Sequence, residues 1–195
     1  MKILSSTDQA IDSINNGAVG ILATDTVYGL VASAHNVAAV CRLYVLKQRE
    51  NKPGTLIAAS IEQLVELGIM RRYISPVEPY WPNPLSVVVP APESLHYLHQ
   101  GKGSLAVRIP ADDVLLALLQ KTGPLLTSSA NQPGMPTATT LQEAQAYFGD
   151  SVDYYVDGGD LYGRASSTII RVVDDEIEVL REGVVTIKES GELSL

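Results

Sequence analysis

The chain alternates between short apolar runs and longer amphipathic segments, and this alternation constrains its fold more than any other feature. The apolar runs at residues 18–23, 85–89 and 105–109 have the length of single buried strands. Between such runs, the segments at 36–46 and 112–121 space their apolar residues three and four positions apart, as one face of a helix does. The pattern predicts an α/β fold in which helices cover a sheet.

The last strands lie too close together for helical crossovers. Residues 167–172 and 176–180 are separated by a short link that contains Asp174 and Asp175, and this spacing predicts an antiparallel hairpin. The earlier strands are separated by helices, which permit parallel pairing. We therefore expect a twisted sheet of mixed parallel and antiparallel strands, with helices on its faces. At this length, residues 1–195 are predicted to form a single domain.

The helical pattern also predicts which side chains are buried. Val37 and Cys41 belong to the predicted inner face of the first long helix, and Val114 to that of the second. Cys41 is the sole cysteine, so an internal disulfide is excluded and a zinc site is not expected. His96 and His99 fall in a predicted loop and form no pair one helical turn apart, so we expect both to be exposed.

The net charge of −8 is unevenly distributed along the chain. Residues 1–140 contain ten basic and ten acidic side chains, whereas residues 141–195 contain four and twelve. An extended nucleic-acid surface requires clustered cations, so this distribution argues against a general polyanion-binding protein. A small anionic ligand needs only a few local cations. The N-terminus lacks the apolar core of a secretory signal and no run is long enough to span a membrane, which predicts a cytoplasmic protein without membrane contact.

The basic side chains of the first half occur in two places that matter for binding. Lys47, Arg49 and Lys52 cluster where the first long helix should end. Cations are favourable there because of the helix dipole, so a solvated helix end explains the cluster by itself. Arg108 lies inside an apolar strand, where an unpaired guanidinium is costly. Its partner is predicted to be either an acidic side chain or the carboxylate of a ligand.

Small hydroxyl and amide side chains follow several of the predicted strands. Each one alone is explained as a turn or cap residue. Together with the cations they could hold phosphate or carboxylate oxygens, and ligands of open α/β sheets bind where strand ends converge. The sequence contains no GxxxxGK[ST], GxGxxG or GxSxG motif. The side chains in question are Thr26, Ser104, Thr127, Ser129, Asn131, Thr137 and Ser167.

Six short motifs containing these residues occur in a fixed order. They are Thr24–Leu30, Lys47-x-Arg49, Ser104–Pro110, Ser129-x-Asn131, Ser167–Ile169 and Leu180-Arg181-x-Gly183. Their order resembles the YrdC/TsaC family of threonylcarbamoyl-AMP synthases in its short, single-domain form. The resemblance implies a YrdC-like open α/β fold with a central cleft. It also implies a nucleotidyltransferase that makes threonylcarbamoyl-AMP and pyrophosphate from L-threonine, bicarbonate and ATP, for tRNA threonylcarbamoyladenosine modification.

The resemblance further implies roles for individual residues. The catalytic group would be Lys47, Arg49, Ser129 and Asn131. ATP would be bound by Arg49, Lys52, Ser104, Ser129, Thr137 and Arg181. Threonine would be bound by Thr26, Arg108, Thr127 and Ser167. Mg²⁺ would enter with ATP and be held by phosphate oxygens and water, so no dedicated metal site is expected. Partner proteins would then transfer the threonylcarbamoyl group to tRNA.

Several alternatives stay open at the level of sequence. The chain could be a non-catalytic RNA-binding module, or a YrdC-fold paralogue with another activity. The residues after Lys47-x-Arg49 depart from the family's Asn-Pro-Leu, which leaves the position of Lys52 on the nucleotide undecided. Whether residues 91–103 form a lid, whether tRNA is contacted directly, and the oligomeric state are also undecided.

Overall fold

A computed structural model describes residues 2–173, 176–188 and 193–194. Within these ranges the strands are β1 (Lys2–Leu4), β2 (Gly20–Ala23), β3 (Tyr28–Ser33), β4 (Thr55–Ile57), β5 (Leu85–Pro90), β6 (Ser104–Arg108), β7 (Leu125–Ser129), β8 (Tyr154–Val156), β9 (Thr168–Val173), β10 (Glu176–Arg181), β11 (Thr186–Ile187) and β12 (Leu193–Ser194). The α-helices are α1 (Ile11–Asn15), α2 (Val37–Leu46), α3 (Ile61–Leu67), α4 (Arg71–Ile74), α5 (His96–His99), α6 (Asp113–Thr122) and α7 (Leu141–Phe148). Short 3₁₀ turns cover Thr7–Ala10, Ser75–Tyr80, Glu93–Leu95 and Gly149–Ser151.

Ten of these strands form one mixed sheet in the order β1-β8-β2-β3-β7-β4-β6-β5-β9-β10. Four pairs are parallel, namely β1/β8, β2/β8, β4/β6 and β5/β9. The remaining neighbours are antiparallel. The predicted mixed α/β sheet is therefore confirmed, and its strand order shows that chain neighbours are often separated in space.

Side-chain alternation along the strands divides the buried apolar residues between the two faces of the sheet. Along β3, Tyr28, Leu30 and Ala32 join the larger core, whereas Val31 joins the smaller one. The larger core packs against α2, α3, α5 and α7, and the smaller one against α1 and α6. Both faces of the central strands are thus covered, except where polar residues replace apolar ones.

The longer helices begin at side-chain caps that the sequence predicts. The side-chain oxygens of Asn36, Ser60 and Thr140 accept hydrogen bonds from backbone amides three residues ahead. These bonds satisfy amides that have no partner within the helix. Gly68 ends α3 with a φ of 119°, a left-handed conformation that glycine adopts without a steric penalty.

Three side chains that were predicted to be buried are exposed. Val37 is 52% exposed and Val114 is 61% exposed, and Cys41 is exposed as well. Val40 and Tyr44 of the same predicted face of α2 are buried as expected, and Leu43 is buried in addition. Each helix has more apolar residues than its contact face can hold, and periodicity alone did not identify which of them face the sheet.

The prediction that His96 and His99 lie in a loop is wrong, because both belong to α5. His99 is only 1% exposed, and its ring nitrogens lie 3.3 Å from the Pro92 carbonyl oxygen and 3.2 Å from the Gly103 amide. These contacts join the two ends of the segment of residues 91–103. The sequence had not decided whether this segment forms a lid. In the structure, the segment is folded and packed against α2.

The predicted hairpin is confirmed at the level of its strands, because β9 and β10 pair antiparallel. The linking residues Asp174 and Asp175 lie outside the described residues. Strand β1 was not predicted, and it pairs in parallel with β8 at one edge of the sheet. No helix in the described part of the chain is long and apolar enough to cross a membrane.

Candidate active site

The floor of the candidate site is a polar patch on one face of the central sheet. Thr55 of β4 lies directly between Ala106 of β6 and Thr127 of β7 in the strand register. The intervening residues Leu56 and Val107 point to the larger core on the other face. Because side chains alternate along a strand, small and polar residues line the patch while the strands stay anchored by apolar neighbours.

A cavity of about 110 Å³ lies above this floor. Its walls come from the β2–β3 turn with Thr26, the loop that leads into β4, and the strands β9 and β10. The loop comes close to β7 at Gly54, where an added Cβ would lie 2.6 Å from the Thr127 carbonyl oxygen. A residue without a side chain is therefore required at that position, which sets the depth of the cavity.

A larger open groove of about 1210 Å³ adjoins the cavity. It is lined by the end of α2, the turn of residues 47–52, the exposed side of α5 and residues 129–134. Arg49 and Ser129 line both spaces. The two spaces therefore meet at these residues, so that a ligand in the groove and one in the cavity would touch there.

Arg108 lies at the cavity and forms a buried ion pair with Asp25. The Nη2 atom of Arg108 lies 3.0 Å from Oδ1 of Asp25, and the two side chains are 4% and 2% exposed. The sequence left an acidic partner and a ligand carboxylate as alternatives, and the structure contains the acidic partner. Burial raises the pKa of Asp25 although the charge of Arg108 opposes that shift. The Nε atom of Arg108 is buried and has no hydrogen-bond partner.

Lys47 is the C-terminal cap residue of α2 and lines the groove. Its side chain is buried, and Nζ donates to the carbonyl oxygens of Ser129 and Asn131 at 2.7 and 2.5 Å and to Oδ1 of Asn131 at 2.6 Å. Burial and the nearby charge of Arg49 lower the pKa of Lys47 to about 8. Three acceptors match the three protons of an ammonium group and favour the charged form. Lys47 therefore holds the 129–131 turn in place.

The 129–131 turn and Arg49 form one hydrogen-bonded unit. The Ser129 hydroxyl donates to Oδ1 of Asn131 at 2.7 Å. Arg49 donates to the Ser128 hydroxyl at 2.9 Å and to the Pro53 carbonyl oxygen at 3.0 Å. The Nε atom of Arg49 is buried without a partner. Arg49 thus combines a buried donor without a partner with a place in the lining of both the cavity and the groove.

The far wall of the cavity is formed by Arg181 and Ser167. The guanidinium of Arg181 donates to the backbone carbonyl oxygen of Ser167 at 2.5 and 3.1 Å, and to its hydroxyl at 3.1 Å. The Ser167 hydroxyl also lies 3.0 Å from that of Ser86 on β5. Burial and the charges of Arg108 and Arg49 lower the pKa of Arg181. The cavity thus brings the guanidinium of Arg181 near two other positive charges.

Taken together, these cations lack the anions that would balance them. In the part of the chain that the structure describes, no carboxylate forms an ion pair with Lys47, Arg49 or Arg181. Buried donors without acceptors are rare in folded proteins, and the two found on arginines, at Arg49 and Arg108, both belong to residues that line the cavity. An anionic ligand would neutralise the charges and satisfy these donors.

The sequence matches a protein-family model named Sua5/YciO/YrdC, which is described as telomere recombination. The match covers residues 12–183. The chain belongs to the Sua5/YciO/YrdC family. A putative threonylcarbamoyl-AMP synthase of Mycobacterium leprae is 32% identical in sequence to the present chain. The alignment covers 94% of this chain and 86% of the relative. The threonylcarbamoyl-AMP synthase of Vibrio cholerae is 33% identical, over 94% of the chain and all of the relative.

A solved structure of the Sua5/YciO/YrdC family has the same fold. The crystal structure of P. abyssi Sua5 complexed with L-threonine superimposes with a TM-score of 0.88 at 28% identity, over 97% of this chain. The present chain spans 60% of the length of that Sua5 chain. The resemblance drawn from six short motifs is therefore confirmed at the level of family and fold.

Most of the residues predicted from the sequence to bind substrates line either the cavity or the groove. Thr26, Arg49, Arg108, Thr127, Ser129, Ser167 and Arg181 line the cavity, and Lys47, Lys52 and Asn131 line the groove. Ser104 and Thr137 belong to the lining of neither space. We expected convergence at strand ends, and Arg108, Ser129 and Arg181 are the last residues of β6, β7 and β10. The floor between these ends lies on the face of the sheet, where alternate residues of β4, β6 and β7 are small or polar.

Several residues at the site carried no specific prediction. Asp25 stood within a motif, but its pairing with Arg108 spans strands that only the fold brings together. Gln100 lines the groove and bonds to the turn of residues 47–52. The hydroxyl of Tyr44 accepts a hydrogen bond from the Gly54 amide and donates to the Leu98 carbonyl oxygen. A buried tyrosine hydroxyl needs a hydrogen-bond partner. This requirement was the one indication in the sequence that Tyr44 would contact other elements.

Glu93, His96 and His99 form a cluster at the rim of the groove. Their potential ligand atoms lie within 4.8 Å of one another. His96 is already paired with Glu93 at 3.0 Å, and both ring nitrogens of His99 contact backbone groups. Binding of a metal would require His99 to give up one of these contacts, so the cluster is explained by its structural role.

Proposed function

We propose that this member of the Sua5/YciO/YrdC family is a threonylcarbamoyl-AMP synthase, and that it acts as a nucleotidyltransferase. The observation that carries the proposal is the junction of a small cationic cavity with a large cationic groove at Arg49 and Ser129. Such a junction suits a reaction that joins a small carboxylate substrate to a nucleotide. The names of the M. leprae and V. cholerae relatives, and the L-threonine of the P. abyssi complex, support the choice of substrate.

We assign the cavity to L-threonine. The free Nε atom of Arg108 can donate to the threonine carboxylate, while Asp25 fixes the other side of the guanidinium. Charge-assisted hydrogen bonds of this type are about twice as strong as neutral ones. The hydroxyls of Thr26, Thr127 and Ser167 line the same cavity and supply partners for the amino and hydroxyl groups of the substrate.

We assign the groove to ATP. Lys47, Arg49 and Lys52 would neutralise the triphosphate, and Ser129 and Asn131 would bond to its oxygens. Arg181 lines the cavity and Ser104 and Thr137 line neither space, so these three remain in the proposed ATP set on the family resemblance alone. Within the described residues, Glu50 is the one carboxylate among the residues that line the groove. Mg²⁺ would therefore arrive as part of the ATP substrate and be held by phosphate oxygens and water.

The proposed chemistry needs no covalent intermediate on the protein. The threonine amine adds to the carbon of bicarbonate, with loss of water, and gives N-carboxythreonine. A carboxylate oxygen of this carbamate attacks the ATP α-phosphorus, and the bond to the β-phosphate breaks. Pyrophosphate leaves, and the P–O–C link of threonylcarbamoyl-AMP remains. Arg49 at the junction is placed to stabilise the charge on the α-phosphate, and positioning contributes the rest.

The product is an acyl phosphate anhydride, which is reactive enough to donate its threonylcarbamoyl group. We propose that the acceptor is the adenosine of tRNA and that other proteins perform the transfer in the cytoplasm. The acidic last quarter of the chain argues against a broad tRNA surface here.

ATP binding is predicted to weaken above a pH of about 8. The pKa of Lys47 is lowered to about 8, so its ammonium form is present below that pH and is lost as the pH rises through it. Deprotonation removes one positive charge from the groove and one donor from the 129–131 turn. Calorimetric Kd values for ATP between pH 7 and 9.5 should rise by up to about tenfold per pH unit above the inflection.

The variant Lys47→Arg is the control for this pH dependence. A guanidinium stays charged throughout the range, so this variant should bind ATP with a Kd that no longer has the inflection, whatever its absolute affinity. An inflection that persists in Lys47→Arg would assign the titration to another group.

The proposed reaction is tested by coupled detection of pyrophosphate. The purified protein should release pyrophosphate from Mg-ATP only when both L-threonine and bicarbonate are present. Serine and valine at the same concentration serve as controls for the shape of the cavity. Tight RNA binding without threonine-dependent pyrophosphate release would instead favour the RNA-binding alternative.

A further inference from the structure

The turn of residues 47–52, here called the basic turn, has its backbone hydrogen bonds in its first half. The amides of Lys47, Gln48 and Arg49 bond to carbonyl oxygens of α2 at 2.9, 3.0 and 3.1 Å. Beyond that point, the described residues contribute no backbone–backbone hydrogen bond to residues 50–53. The Arg49 side chain bonds to the Ser128 hydroxyl and the Pro53 carbonyl oxygen, so the backbone between Arg49 and Lys52 is the part that needs support from outside the turn.

The basic turn also contains two residues in the left-handed region, which asparagine tolerates and glutamine does not favour. Gln48 and Asn51 have φ values of 48° and 54°, in the left-handed region that disfavours side chains. In the described chain, the one other non-glycine residue with positive φ is Gln100, at 50°. All three line the groove. Unfavourable backbone conformations persist where surrounding contacts impose them, and they cluster at functional sites.

Gln100 supplies the missing support through its side-chain amide. Its Oε1 accepts a hydrogen bond from the Lys52 amide at 2.9 Å, and its Nε2 donates to the Arg49 carbonyl oxygen at 3.1 Å. The two bonds bridge the second half of the basic turn, from Arg49 to Lys52. A single side chain thus satisfies one backbone donor and one backbone acceptor that have no other partner in the described chain.

Gln100 can support the turn because its own position is fixed. It caps α5, and its amide bonds to the His96 carbonyl oxygen at 2.7 Å. Helix α5 is fastened to α2 by the Tyr44 hydroxyl, which donates to the Leu98 carbonyl oxygen at 2.5 Å. Leu98 and His99 are buried. The support therefore runs from the core through α5 to the basic turn.

We infer that Gln100 is a positioning residue, which holds the basic turn in the conformation that binds the phosphates of ATP. The inference rests on the proposed function for the identity of the ligand. In this view the segment of residues 91–103 does not act as a lid. It is a rigid support that stabilises the phosphate-binding turn through Gln100. Gln100 itself acts through Arg49 and Lys52 and is not assigned a contact with substrate.

The test uses Gln100→Met, which keeps the length of the side chain and removes both hydrogen bonds. We expect the calorimetric Kd for ATP and the KM for ATP to rise about tenfold, as the loss of two hydrogen bonds implies. The KM for threonine should change less than about twofold, because the cavity does not depend on this bridge. Inorganic tripolyphosphate in place of ATP should show the same loss, since the effect lies on the phosphates.

The matched control is Gln63→Met. Gln63 also bridges two backbone groups, since its Oε1 accepts from the Ala59 amide at 2.9 Å and its Nε2 donates to the Leu119 carbonyl oxygen at 2.8 Å. It lines neither the groove nor the cavity. The control should lower the melting temperature and leave the Kd for ATP unchanged. Equal weakening of ATP binding by both variants would overturn the inference.

A second variant keeps the test decisive if Gln100→Met folds poorly. Gln100→Gly also removes the bridge, but glycine adopts the left-handed conformation freely, and the same tenfold loss of ATP affinity is expected. Unchanged ATP affinity in either folded variant overturns the inference. A wild-type protein that binds ATP but releases no threonine-dependent pyrophosphate would contradict the proposed function. The inference about Gln100 would still stand if Gln100→Met weakens ATP binding. A wild-type protein that binds no ATP or tripolyphosphate overturns both.

Discussion

Replacing Arg108 with methionine should raise the KM for threonine by about a hundredfold and change the KM for ATP by less than about threefold. The estimate assumes loss of charge-assisted hydrogen bonds to the threonine carboxylate, each worth about 1.5–3 kcal/mol. Arg108 lines the cavity and is absent from the lining of the groove, so the effect should fall on one substrate. Steady-state kinetics with each substrate varied in turn will measure the split.

The same substitution should also destabilise the protein. It leaves the buried carboxylate of Asp25 without its partner, and breaking a buried pair costs about 3–5 kcal/mol. Asp25→Asn is the matched control, because it breaks the same pair and leaves Arg108 charged. We expect it to lower the melting temperature and to raise the KM for threonine less than Arg108→Met does, because the guanidinium stays charged but loses the carboxylate that fixes it. Parallel increases in the KM for both substrates of Arg108→Met would contradict the role of Arg108 as a carboxylate clamp.

Replacing Lys47 with methionine should lower kcat by about 10²–10³-fold, the usual cost of one lost group that stabilises transition-state charge. The substitution removes a buried cation and the lysine donor of three oxygens, of which Oδ1 of Asn131 keeps the Ser129 hydroxyl as a donor. The 129–131 turn should then lose its fixed position beside the groove. Single-turnover measurements at saturating ATP and threonine will separate this loss of rate from weaker binding.

Lys121→Met is the control for the effect of removing a lysine. Lys121 lies on α6 and forms an ion pair with Asp8 in which both side chains are more than half exposed. Such pairs contribute about 0–1 kcal/mol, so kcat should stay at the wild-type value. A Lys47→Met protein with unchanged kcat would remove that lysine from the mechanism.

The sequence was informative about the fold wherever a pattern repeats along the chain. Apolar runs and caps such as Asn36 located the strands and helices, because alternation and capping are local properties. Patterns could not predict which apolar residues of α2 face the sheet, since Val37 and Val40 both fit a helical stripe and only Val40 is buried. His99 was placed in a loop because α5 is a single turn, too short for any periodic signal.

The site was predictable as a set of residues but not as an arrangement. The order of the motifs identified Lys47, Arg49 and Arg108 as functional candidates. The acceptors for Lys47 are mostly backbone carbonyl oxygens more than eighty residues away, and backbone groups carry no sequence signal. The convergence at strand ends was predictable, since Arg108 and Ser129 end β6 and β7. The floor of the cavity was not, because it depends on the register that aligns Thr55 with Thr127, and register is a property of the folded sheet.

The most direct test of the proposed function follows the carbon of bicarbonate. Labelled bicarbonate should appear in an adenylate that also contains threonine, in amounts equal to the pyrophosphate released, when the protein acts on Mg-ATP and L-threonine. Separation of the product by chromatography and determination of its mass would identify threonylcarbamoyl-AMP. Pyrophosphate or ADP formed without a labelled adenylate that contains threonine would contradict the proposal that the cavity and the groove join threonine to AMP.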